Sequence, residues 1–136
     1  MKTIWNCTQA FIAAAGGGIG WLLGGADGFL YTLTVFAVID YLAGVACAVL
    51  EGKLSSAAGA RGIYRKVLMF ALVGAGHTVD VYLTNTPGVV RNAVIFFFIS
   101  NEGVSLLENA ARAGLPVPQA LRDALVQLHD KGRRTQ

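Results

Sequence analysis

Long apolar runs alternate along the chain with short polar or charged stretches. A membrane span needs about 20 mostly apolar residues, and four runs qualify. They cover about residues 9–25 (QAFIAAAGGGIGWLLGG), 28–50 (GFLYTLTVFAVIDYLAGVACAVL), 67–83 (VLMFALVGAGHTVDVYL) and 89–108, the last staying helical to Ala113. Inside lipid each backbone donor and acceptor must be satisfied within its own segment, which selects helices. The period-2 alternation of a membrane barrel is absent. The expected fold is an all-α integral membrane protein forming one domain over residues 1–136. Its bundle has four transmembrane helices, or three if the first does not cross.

The first run is the weakest, because Ala and Gly contribute little transfer energy. An interfacial helix or a signal peptide are the alternatives. Asn6, Thr8 and Gln9 interrupt a signal-peptide core, and Lys2 is its only basic flank. Cys7 precedes the apolar run, so it is not a lipoprotein cysteine. At the other end, Gly114 reads as the residue that closes the fourth helix, and Pro116 and Pro118 prevent continuation. Residues 115–136 then form a cytoplasmic tail. Its short amphipathic helix carries Leu121, Leu125 and Leu128 on one stripe, and it would lie on an anionic leaflet or on its own bundle.

Composition agrees with a membrane protein. The chain has 136 residues, 54% hydrophobic and 14% charged, against about 25% charged in soluble domains. Neither a soluble domain nor a disordered chain has this balance. The formal net charge of +3 does not indicate nucleic acid, because the basic residues fall between the apolar runs. With both termini in the cytoplasm, ten of the eleven Lys and Arg residues face inward and only Arg91 faces out, as the positive-inside rule requires. Two cysteines forty residues apart make neither a disulfide framework nor a zinc site. No metal or cofactor is expected.

Small residues recur at helical spacing. Gly16, Gly20 and Gly24 form GxxxGxxxG, and Gly44 and Ala48 follow Asp40 on one line of the second run. Such faces let backbones approach closely in lipid, within one subunit or between subunits. Charges at membrane depth are the costly feature. An Asp at a span centre costs about 2.5–3.5 kcal/mol on insertion scales. Asp40 sits there in the second run, His77 and Asp80 share a face of the third, and Glu102 lies in the fourth. With no Lys or Arg placed among them, these groups cannot all be paired. They would form a neutral hydrogen-bonded core with His77 on Asp80, or a wet surface that becomes a lumen in an assembly, or a proton relay. Asn101, Glu102, Ser105, Glu108 and Asn109 spread a polar arc over the fourth helix, favouring a pore-lining role.

No P-loop, HExxH motif or nucleophile elbow is present, and the expectation is a protein without enzymatic activity. Three stretches are more specific: Asp40-Tyr41-Leu42-Ala43-Gly44, then Lys53-Leu54-Ser55-Ser56 with Gly59 to Lys66 (GARGIYRK), and Ile99 to Asn109 with its NEGxSxLEN pattern. Together they resemble the phage-lysis and toxin-secretion holin family over about residues 28–130. The matching positions are Asp40, Gly44, Lys53, Ser55, Gly59, Asn101, Glu102, Ser105, Glu108 and Asn109. His77 and Asp80 match a His and an Asp often found in that family's third span.

The resemblance implies small helical subunits that accumulate in the bacterial cytoplasmic membrane. These cluster into large lesions, collapse the membrane potential and release an endolysin or a large toxin. Its implied partners are other copies of the chain, the lipid bilayer, the passing endolysin or toxin, and an antiholin. An antiholin, a dedicated toxin-export pore or a small proton-coupled exporter are the rival readings.

Overall fold

The computed structural model describes residues 1–124 and 127. Among these the chain is all helical. Four helices follow in order: α1 (Lys2–Leu22), α2 (Gly28–Leu50), α3 (Ser56–Val79) and α4 (Val89–Arg112), with a π-helical turn (Asp80–Thr84) extending α3. Three helices are long and apolar enough to cross a membrane, namely α2, α3 with its π-helical extension, and α4. α1 falls outside that set; Asn6, Thr8, Gln9 and four glycines interrupt its apolar residues.

The ends of the helices follow from local chemistry. Asp27 caps α2 by accepting from the Leu30 N–H, and Ser55 caps α3 by accepting from the Ala58 N–H. Such side chains satisfy backbone donors that the first helical turn leaves free. Gly24, Gly52 and Gly114 close α1, α2 and α4 in the left-handed region. Each has the paired terminal hydrogen bonds of a Schellman motif; after α4, Gly114 N–H donates to Ala111 O and Leu115 N–H to Ala110 O. The close of the fourth helix at Gly114 therefore matches the sequence reading. Residues 119–124 are helical. Leu125 and Leu128 of the expected tail stripe lie outside the described residues.

The third helix starts about ten residues earlier than the apolar run. Ser55 supplies the cap, and GARGIYRK continues as helix rather than loop. This moves Lys66 from a cytoplasmic loop to the interior of the bundle.

α4 packs against both α2 and α3, while α1 touches only α3 among the helices. A seam runs along each of the three central helices at alternating steps of three and four. On α2 it is Leu30, Leu33, Ala37, Asp40, Gly44 and Cys47; on α3, Gly62, Lys66, Met69, Val73, Gly76 and Asp80; on α4, Arg91, Ile95, Phe98, Glu102, Ser105 and Asn109. This spacing keeps one face of each helix toward its neighbours. Leu33, Val73 and Ile95 are wholly buried at the centre. Gly76 is where two backbones meet: a Cβ there would come within 3.1 Å of Arg91 Cα. The outward residues are large and apolar, including Leu42, Leu72, Tyr82, Phe96 and Phe97.

Candidate functional site

Three rungs of charge tie the central helices together. The middle rung lies near the midpoint of the bundle. Lys66 on α3 donates its ammonium to Asp40 Oδ2 at 2.7 Å and also to Glu102 on α4. Asn109 donates from Nδ2 to the other Asp40 oxygen at 3.2 Å. The three ionic side chains keep only 19%, 11% and 13% of their surface (Lys66, Asp40, Glu102). Buried charge of this kind is tolerated only when paired and hydrogen-bonded.

The expectation that the intramembrane acids have no cation among them is thus corrected. Lys66 is that cation, and it was hidden because the apolar run begins only at Val67. Its seam position, four residues after Gly62 and three before Met69, is the signal in the sequence that places it inward. Asp40 and Glu102 both accept from its ammonium and form one cluster with it. One negative charge exceeds the count of cations in this rung.

The second rung lies at the end where α1 meets α2. Arg91, only 3% exposed, donates to Asp27 at 2.7 Å from Nη1, to Gly25 O at 2.9 Å from Nη2, and to Leu23 O. The Arg91 guanidinium holds the Asp27 carboxyl below the usual carboxylate range. Asp80 is buried beside it. Its two oxygens accept from Val90 N–H at 2.8 Å and Arg91 N–H at 2.9 Å. Asp80 therefore caps the start of α4, whose own N-cap Gly88 has no side chain to do so.

This corrects the pairing of His77 with Asp80. His77 instead lies against the Gly24 turn, where a Cβ on Gly24 would approach both His77 Nδ1 and Arg91 Nε to 2.7 Å. The third rung lies at the opposite end. Arg112 donates to Glu51 through Nε and Nη2 at 3.0 and 2.8 Å, and through Nη1 to Asn109 Oδ1 at 3.1 Å. That contact also lowers the Glu51 carboxyl.

Beside the middle rung is a cavity of about 500 Å³ between α2, α3 and α4. Its wall brings together Asp40, Gly44, Ala48, Gly59, Glu102, Ser105 and Asn109. Gly59 and Gly62 let α3 approach the Tyr41 ring, whose hydroxyl lies 3.4 Å from Gly59 O as a donor. Cys47 is buried and donates its thiol to Asn109 O.

Other candidates lie elsewhere. Gly16 and Gly20 face open space, and Gly24 is past the end of α1 in the left-handed turn, so it leaves the GxxxGxxxG face. Ser55 serves as a helix cap, and Lys53 reaches Glu51 at 3.9 Å near the surface. Asn101 and Glu108 are exposed. Arg91, Asp27, Tyr41 and Glu51 were not singled out as site residues by sequence, since each acts through a partner far along the chain.

Comparison with known proteins gives this arrangement a family. The bacteriophage holin family model matches residues 17–130. The chain belongs to that family. A probable holin of Bacillus phage phi105 is 33% identical over 97 residues, covering 71% of each chain. An uncharacterised 14.9 kDa protein of Clostridium perfringens is 37% identical over 131 residues, covering 96% of this chain and 99% of that one. An uncharacterised Listeria innocua protein is 37% identical over 115 residues, covering 85% of this chain and 81% of the other. No solved structure matches. As a member of the holin family, the chain is a membrane protein, and its three central helices are long and apolar enough to cross a bilayer.

Proposed function

We propose that this chain is a holin of the bacterial cytoplasmic membrane, which oligomerises into large lesions. The lesions release an endolysin, or a large toxin, and collapse the membrane potential. The observation that favours this reading is the Asp40–Lys66–Glu102 cluster at mid-depth in a holin-family bundle. A subunit built this way carries its own hydrophilic surface, closed by ion pairing within the chain. When subunits crowd, separation of α3 from α2 and α4 exposes these groups to water, and they line the lumen. Lipid cannot solvate them, so opening is favoured only where neighbouring copies enclose water.

All four helices cross in this reading, with both termini in the cytoplasm. Trp5 and Trp21 are 67% and 70% exposed on α1. Sixteen residues of helix set them about 24 Å apart, suited to the two interfaces where Trp concentrates. The rung at Arg91 then faces outward, and the rung at Arg112 faces the cytoplasm.

The test is inducible expression in a bacterium beside a cytoplasmic endolysin, following optical density and release of a cytosolic reporter. An abrupt, late drop that requires the endolysin, and is advanced by an energy poison, is expected. Asp40→Asn and Glu102→Gln should shift its onset at equal expression. A slow growth defect without protein release would instead indicate an antiholin, a narrow channel or an exporter.

A further inference from the structure

The cavity beside the middle rung runs toward one end of the bundle only. Its wall reaches from Asp40 and Glu102 to Ala48, Leu54 and Arg112, beside the α2–α3 turn. From Asp40 to Ala48 this is about 12 Å of helix. Its volume of about 500 Å³ has room for on the order of ten waters at about 30 Å³ each. Ser105, Asn109 and the charged groups on the wall offer those waters hydrogen-bond partners, and a lipid tail would leave them unsatisfied.

In the other direction the path is closed. Leu33, Val73 and Ile95 are wholly buried. Each lies two helical turns from the cluster residue of its own helix: Leu33 from Asp40, Val73 from Lys66 and Ile95 from Glu102. The three therefore form one apolar layer about 10 Å from the cluster. An apolar constriction of this kind excludes water and ions. Beyond it a separate cavity lies on Asp27, His77, Asp80 and Arg91, and it shares no wall residue with the first.

The floor of the first cavity is not evenly matched. Asp40 uses both oxygens, one on Lys66 and one on Asn109. Glu102 accepts through Oε2 from Lys66, and its Oε1 has no protein partner among the described residues. The charged and titratable groups that share its wall are Asp40 and Tyr41 from α2, Lys66 and Arg65 from α3, and Arg112 from its own helix. Arg112 is held by Glu51, and Arg65 makes no ion pair among the described residues. One ammonium is thus left to answer two carboxylates.

We propose that this cavity is a water-filled vestibule open only to the membrane face where Arg112 lies, and that Glu102 on its floor is a proton-binding site served from that face. Vestibule water delivers the proton to a lone pair on Oε1. Asp40 and Lys66 are then left as a one-to-one ion pair, which removes the excess charge from a buried place. In the topology proposed above this face is the cytoplasm. The vestibule belongs to the closed subunit, so it requires that α2, α3 and α4 cross the bilayer and does not require lesion formation.

The experiment uses the full chain in sealed inside-out and right-side-out membrane vesicles. Cys7→Ser and Cys47→Ala remove the natural thiols, and a membrane-impermeant cationic thiosulfonate is the probe. Lys53→Cys marks the Arg112 face and Thr86→Cys the opposite one, both positions being exposed. Ser105→Cys should react from the Lys53 face and not from the Thr86 face, and Val73→Cys from neither. Reaction of Ser105→Cys from the Thr86 face overturns the one-sided vestibule. Reaction from neither face means a dry or lipid-filled cavity and overturns it equally. Should Ser105→Cys fail to fold, Ala48→Cys nearer the mouth gives the same reading.

The proton is read by infrared difference spectra of the reconstituted protein between about pH 8 and pH 5. A protonated-carboxyl band should appear that Glu102→Gln loses and Glu108→Gln, exposed on α4, keeps. A spectrum unchanged by Glu102→Gln overturns the proton site. The lysis assay is read separately. One-sided access without lysis counts against the holin reading alone; lysis by a chain whose Ser105→Cys is closed to both faces beforehand counts against the vestibule alone.

Discussion

Replacing Lys66 by Met tests the physical centre of the bundle. The middle rung holds two carboxylates and one ammonium, all at least four-fifths buried. Methionine keeps much of the volume but removes the only cation, leaving Asp40 and Glu102 as two unmatched like charges. Deleting one partner of a buried ion pair costs about 3–5 kcal/mol. Because Lys66 keeps a fifth of its surface exposed, the lower end applies, about 3 kcal/mol. That is roughly a 150-fold shift in the folding equilibrium.

The assay is denaturant unfolding of the reconstituted protein, followed by far-ultraviolet circular dichroism. A second variant separates charge from packing. With Lys66→Met, Asp40→Asn and Glu102→Gln combined, no buried charge is left unpaired, and most of the lost stability should return. In the lysis assay the triple variant should open late, having lost the groups that favour a wet lumen. Lys66→Met as stable as the natural chain, or a triple variant no better than the single one, would refute the bridge.

Other expectations follow from named contacts. Gly24→Ala should strongly destabilise the bundle, because a Cβ meets Arg91 Nε and His77 Nδ1 at 2.7 Å in a left-handed turn. Gly20→Ala meets nothing within 4 Å and should stabilise the subunit by about 0.5–1 kcal/mol through helix propensity, so a lysis onset shifted by loss of assembly would report contact between subunits. Gly76→Ala should cost about 1–3 kcal/mol, since its Cβ is opposed by the α4 backbone, which cannot swing aside; thermal unfolding in detergent measures it. Asp27 has a lowered folded pKa, so its bond to Arg91 adds stability above the unfolded carboxylate pKa. That stability is lost as pH falls through the lower folded value. Midpoints measured between about pH 7 and pH 3 should fall at the acid end, and less steeply in Asp27→Asn.

Much of the fold was legible in the chain. Hydrophobic runs of about the length that a bilayer core requires specify α2, α3 and α4, because lipid leaves the backbone no alternative to the helix. Gly114 marks the close of α4 by its freedom to take φ of +84°. The motif residues Asp40, Gly44, Glu102 and Asn109 come together around one cavity. The sequence by itself therefore determined a helical membrane protein with its polar groups concentrated on few faces. It could not determine which charge answers which. Lys66 meets Asp40 across 26 residues and Glu102 across 36, and Arg91 meets Asp27 across 64. Hydropathy averages over neighbours in the chain, whereas an ion pair depends on neighbours in space. Only the packing of α4 against α2 and α3 turned isolated charges at membrane depth into matched rungs.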